Sequence, residues 1–183
     1  FNKQINATSR AWIFTSATLS VNGDFSHYNS VMGLNPELNS VRAVSWGSPF
    51  NFADQALLYV PTGLPEPNNS SYTENMVKAV FPVLKVSRGR AFILCTSLRA
   101  MQQIYNKLLG LFEDEQLDYP LLLQGQGSRS EMLDRFRKMG NAVLIGSQSF
   151  WEGVDVRGEA LSLVVIDKLP FAPPNDPVLA ARI

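Results

Sequence analysis

Short apolar runs and amphipathic helical stripes alternate along the second half of this chain. Ala91 to Cys95, Leu121 to Leu123, Ala142 to Ile145 and Leu161 to Ile166 are apolar runs bounded by polar residues or glycine, the pattern of strands buried on both faces. Tyr72 to Val86 carries Met76, Val77, Val80, Phe81 and Leu84 at helical spacing, with Pro82 expected to kink or shorten the helix. A second helix is predicted from Leu98 to Leu111, with Thr96-Ser97 as its cap and Met101, Ile104, Tyr105 and Leu108 on one face. A third follows Gln124-Gly125-Gln126-Gly127 and turns Met132, Leu133 and Phe136 inward. Two further strands are predicted, Ala11 to Phe14 ahead of Thr15-Ser16-Ala17-Thr18, and Ala56 to Val60 ahead of Pro61. Strands alternating with helices over short connections imply an α/β fold with a parallel sheet covered on both faces.

Residues 147 to 155, Ser-Gln-Ser-Phe-Trp-Glu-Gly-Val-Asp, follow the strand that ends at Ile145. They therefore form a loop at the carboxyl end of a strand, where open α/β sheets bind ligands. Glu152 and Asp155 could hold a metal or a nucleotide there, with Gly153 allowing close backbone approach. A surface turn whose Phe150 and Trp151 cap the core explains the same residues, and spacing alone does not separate the two readings.

Composition narrows the possibilities. At 183 residues, 45% hydrophobic and 17% charged, the chain can bury one core, or one domain and part of another. Sixteen basic residues balance sixteen acidic ones, so nucleic-acid contact must come from a local patch and not from a net positive field. The single Cys95 lies within an apolar run, which excludes disulfides and cysteine metal clusters and suits a buried thiol in a reducing compartment. No membrane span of about 18 apolar residues and no signal peptide is visible. His27 is solitary and is assigned no chemistry. Between Ala43 and Asn69, Gly47, Pro49, Pro61, Gly63, Pro65 and Pro67 interrupt the pattern, and a boundary is expected near Gly47-Ser48. The chain starts without methionine and stops at Ala180-Ala181-Arg182-Ile183, a helix just beginning, so it reads as a piece of a longer protein.

Several motifs occur in an order that resembles the DinG-type helicases of the XPD-like class. They are Ser16-Ala17-Thr18-Leu19 after a strand, Ser48-Pro49-Phe50, the run Ala91 to Cys95 with Thr96-Ser97, and Gln124-Gly125. Phe150-Trp151-Glu152-Gly153-Val154-Asp155 and Lys168-Leu169-Pro170-Phe171 complete the set. The run from Ile166 to Pro177 looks most like the bacterial YoaA branch of that class, and the resemblance covers nearly the whole chain. It implies an ATP-driven motor of two RecA-like domains with nucleotide in the cleft between them and single-stranded DNA across their top. Residues 1–47 would then be the tail of the first motor domain, and residues 48–183 most of the second, a RecA-like parallel sheet flanked by helices.

By that resemblance Glu152, Gly153 and Asp155 face the ATP cleft from the second domain, the two carboxylates being the catalytic candidates. Ser16 and Thr18 would couple the nucleotide site to DNA, although both hydroxyls could simply cap a strand end. Thr96, Ser97, Gln124, Gly125, Ser147 and Gln148 are the candidate DNA contacts, because phosphates accept hydrogen bonds from any donor. Arg99 and Arg129 could add charge, although a solvated helix residue is the favoured description of each. Trp151 could stack a base, but its alternation with apolar neighbours favours core packing.

The resemblance also implies parts that this stretch lacks. It has no Gly-x-x-x-x-Gly-Lys-Ser/Thr loop, no Asp-Glu-Ala-His box and no set of four cysteines. ATP and Mg2+ would be used by the full-length protein, a 4Fe-4S cluster would sit in its N-terminal part, and this stretch alone would turn over no ATP. No metal site is expected within it. Cytoplasmic work on DNA in replication or repair, with movement from 5′ to 3′ and contact with replisome or repair proteins, follows from the same resemblance. Two other classes stay open: a non-catalytic module docking a replication or repair partner through 61–70 or 169–177, and a small-molecule α/β enzyme. The second would need a glycine-rich turn after its first strand, of which Gly125-x-Gly127 is a poor version.

Overall fold

A computed structural model describes residues 10–35 and 40–171 of the chain, except for the side chain of Gln148. The run from Ala172 to Pro177 and the helix expected from Ala180 lie outside the described residues. Two compact units are present, Phe1–Tyr59 and Val60–Ile183.

In the first unit, α1 spans Ser26–Met32 and α2 Phe52–Gln55, neither foreseen from the sequence. The Asp24 carboxylate starts α1 by accepting from the Ser26 amide and hydroxyl, both at 2.8 Å, and these bonds hold it below the usual carboxylate range. Trp12 stacks on Phe14 at 6.5 Å, and Phe14 meets the edge of Tyr28 at 6.0 Å. The strand expected at Ala11 to Phe14 is absent, and so is the one expected at Ala56 to Val60. Both runs have a strand's composition, but no neighbour among the described residues supplies a ladder. Leu57 and Leu58 are 92% and 87% exposed.

The second unit carries the sheet. Strands β1 (Ala91–Leu94), β2 (Leu121–Leu123), β3 (Val143–Gly146) and β4 (Leu163–Ile166) lie in the order β2-β3-β1-β4, all parallel. Each strand matches a predicted run to within a residue or two at its ends. Register places Ala91 beside Val143 and Leu163, and Leu94 beside Gly146 and Ile166. Because side chains alternate along a strand, β1 and β3 feed two separate cores.

One core gathers Ala91, Ile93, Cys95, Val143 and Ile145 beneath α3 (Tyr72–Val86) and α4 (Leu98–Asp114). The other gathers Phe92, Leu94 and Leu144 beneath α5 (Arg129–Met139), with Phe150 buried beside them. Connections that cross a parallel sheet in opposite directions use opposite faces, and the two helix layers follow from that rule. Pro82 does not shorten α3, which runs on to Val86. Its cost, about 3 kcal/mol, is offset by burying Phe81 and Leu84, each worth roughly 1.5–3 kcal/mol. The edge strand β4 is only partly covered: Val164 and Ile166, on the α5 side by register, are 52% and 46% exposed.

Candidate functional site

Parallel strands end together, so the residues that follow β1, β2, β3 and β4 line one edge of the sheet. Thr96 and Ser97 follow β1, Gln124 and Gly125 follow β2, Ser147 and Gln148 follow β3, and Asp167 and Lys168 follow β4. The structure thus brings the six candidate DNA-contact positions to a single edge of the second unit. Ser16 and Thr18 belong to the first unit, where the Thr18 amide donates to Ser16 Oγ at 3.3 Å and the two hydroxyls lie 3.2 Å apart, a local turn.

Several edge groups already have partners. Ser97 caps α4, its Oγ accepting from the Ala100 amide at 3.2 Å. Gln124 ties β2 to β3: its Oε1 accepts from the Ser147 amide at 2.6 Å and the Ser147 hydroxyl at 3.1 Å. Those bonds leave the Gln124 amide nitrogen and the Ser97 hydroxyl proton as donors for a passing phosphate. Gly125 has φ +101°, a conformation that suits glycine.

Asp167 is the principal residue of this edge that sequence reasoning did not single out. It is 5% exposed, its Oδ1 accepts from the Thr96 amide at 3.0 Å, and its Oδ2 has no partner among the described residues. The Tyr72 hydroxyl donates to its carbonyl, and Lys168 reaches both the Pro67 carbonyl at 2.9 Å and the Tyr72 ring at 5.3 Å. Asp167 therefore fastens the loop at the start of α4 to the exit of β4. A lone acid directly after an apolar strand was the available signal. Burial raises its pKa above the ordinary carboxylate value, against the pull of the Thr96 amide and of neighbouring Lys168. Burial, and then the charge of Asp167, push the neighbouring Cys95 thiol up to about 12.

The raised pKa has a direct consequence for stability. The folded state holds the Asp167 proton more tightly than the unfolded chain, so stability falls as pH rises from about 4 through the folded pKa. Asp167→Asn keeps the acceptor and drops the charge. Its denaturation midpoint is expected to match the parent near pH 4 and to exceed it at pH 7, measured by urea titration at both values. A parent that gains on the variant with rising pH would contradict this.

Glu152, Gly153 and Asp155 lie in the loop after β3, on the flank of the sheet covered by α5. Phe150 is buried and Trp151 packs against the second core, so Trp151 serves packing. The aromatic cap and the acidic loop are one structure, with the apolar side turned in and the carboxylates turned out. Arg129 is exposed, and its Nη2 donates to the Glu152 carbonyl. Arg137, a basic residue in the last turn of α5, donates to the Asp155 carbonyl at 2.8 Å. Arg99 is exposed. No grouping of His, Cys, Asp and Glu fit to hold a metal occurs among the described residues, and none of their helices is long and apolar enough to cross a membrane.

The sequence model of the helicase C-terminal domain family matches residues 80–183. The chain is 44% identical over 185 residues to the ATP-dependent DNA helicase YoaA of Haemophilus influenzae, covering 100% of this chain and 27% of that protein. It is 42% identical over 173 residues to YoaA of Escherichia coli K12, covering 94% of this chain and 26% of the relative. With the ATP-dependent helicase DinG of Mycobacterium tuberculosis it shares 35% identity over 171 residues, 93% of this chain and 25% of the relative. The chain spans about a quarter of the length of these relatives.

Proposed function

The chain belongs to the helicase C-terminal domain family, with DinG-type relatives, and on that footing we propose that residues 48–183 are the second RecA-like motor domain of an ATP-dependent DNA helicase. Residues 1–47 are the tail of the first motor domain, carrying Ser16 and Thr18 as coupling residues. The observation that carries this reading is the sheet edge: hydroxyl and amide residues follow three adjacent parallel strands, and an outward-facing acidic loop stands beside them. Such an edge suits sequence-independent contact with a single strand through its phosphates.

Glu152 and Asp155 cannot cradle phosphate themselves, since like charges repel. They suit the ribose hydroxyls, or the arginines and water that gather at a γ-phosphate. Gly153 lets the backbone come close. ATP with Mg2+ supplies the free energy of the full-length protein, and the groups that hold its phosphates lie outside this stretch. An iron-sulfur cluster does not fit these residues, because the single cysteine is buried and its thiol is held protonated. Any such cluster belongs to the N-terminal part of the full-length protein. The motor moves 5′ to 3′ in cytoplasmic repair or replication.

The test compares ATP turnover by the full-length protein, with and without single-stranded DNA, against the 183-residue chain alone. Full-length turnover is expected to rise at least about tenfold with DNA, while the isolated chain shows none. Turnover by the isolated chain, or a full-length protein indifferent to DNA, would overturn the reading.

A further inference from the structure

We propose that Arg129 and Arg137 are positioning residues that hold the acidic loop in its working geometry, an inference that rests on the placement of Glu152 and Asp155 at the ATP cleft. Both guanidinium groups come from α5, and both bind main-chain carbonyls of the loop, those of Glu152 and Asp155. Arginines paired with the loop's carboxylates would neutralise them. By gripping the backbone instead, they leave the carboxylates turned outward. Among the described residues the Glu152 side chain has no hydrogen-bond partner, and Asp155 meets only Arg157, 3.0 Å away and 91% exposed.

The loop has little else to hold it. Among the described residues, no backbone hydrogen bond outside regular elements involves Trp151 to Arg157. Apolar contacts of Trp151, Val154 and Val156 with the second core fix its inner side only. Gly153 sits at φ +64°, and a side chain there would begin 3.4 Å from Arg129 Nη2, so the guanidinium packs on bare backbone. Arg137 is itself oriented, its Nη1 donating to Asp134 at 3.0 Å. The helix carrying both arginines is rigid. Met132, Leu133 and Phe136 anchor it in the core, and Ser128 with Glu131 closes a reciprocal capping box at its start. A loop with two charged arms from one anchored helix is held where an untethered turn would wander, and misplacement of about 1 Å can cost a hundredfold in rate.

The experiment uses the full-length protein with Arg129→Ala, Arg137→Ala and, as reference, Asp155→Ala. Steady-state ATP turnover with single-stranded DNA is measured beside DNA affinity without nucleotide, melting temperature and amide exchange over residues 151–157. Each arginine variant is expected to lose about tenfold in DNA-stimulated kcat, with faster exchange in the loop and with DNA affinity and melting temperature as in the parent. Parental turnover in the arginine variants beside an inactive Asp155→Ala overturns the positioning role and leaves the cleft in place. Parental turnover in all three overturns both readings. Unchanged loop exchange, or turnover lost together with melting temperature, also overturns the inference, the latter because the arginines would then serve the fold.

Discussion

Asp155→Ala in the full-length protein is expected to lower DNA-stimulated ATP turnover by roughly a hundredfold, the usual cost of removing one group that meets developing charge, with little loss of stability. The two halves of that expectation come from different facts. Its side chain is 74% exposed and, among the described residues, pairs only with the more exposed Arg157, a bond of the kind worth about 0–1 kcal/mol. Its fold-related contact is the main-chain carbonyl held by Arg137, which alanine retains. What the substitution removes is thus the outward carboxylate. Glu152→Gln removes charge while keeping size and hydrogen-bonding reach, and a smaller fall of about tenfold is expected. Turnover is measured at saturating DNA and ATP, with the denaturation midpoint alongside. Turnover as in the parent would place the cleft elsewhere.

The parts of the fold legible in the sequence are those specified by local signals. The β1 and β3 runs are continuous and apolar because both faces are covered, and the stripe on α4 marks the face that meets the sheet. Ser97 is readable as a cap because capping acts over three residues. Ala11 to Phe14 and Ala56 to Val60 carry the same apolar signal and form no strand. A strand also needs a neighbour, and neighbours are not encoded within the run. The site divides the same way. Glu152 and Asp155 stand out because they follow a strand. The grip of Arg129 on residue 152, 23 positions away, and of Asp167 on Thr96, 71 away, depends on where helix and strands come to rest. Periodicity showed that α5 packs, and only the packed arrangement showed what its arginines reach.

Gly89→Ala should be the most damaging glycine-to-alanine change among the described residues of the second unit. The turn from α3 into β1 runs through three successive left-handed residues, Arg88, Gly89 and Arg90, at φ 55°, 72° and 47°. Alanine at Gly89 costs about 1 kcal/mol for that conformation alone. The steric clash costs more: the new carbon would start 2.0 Å from the Asn141 carbonyl oxygen and 2.9 Å from its carbon. That obstacle is backbone, and it cannot rotate away. Asn141 leads into β3, while Arg90 accepts from the amides of Ser162 and Leu163 and so fixes the start of β4. Relief would therefore displace three strands at once. A loss of about 4 kcal/mol or more is expected, close to the whole stability of a small domain, about 5–15 kcal/mol. Gly140 supplies the control, since its φ is also 72° but no atom of the described residues lies within 4 Å of an added carbon. Gly140→Ala should cost only the conformational part, about 1 kcal/mol. Urea denaturation of the two variants separates the clash from the conformational cost. Equal losses would mean that the turn at Gly89 yields freely, and that the close approach to Asn141 does not hold the strands in register.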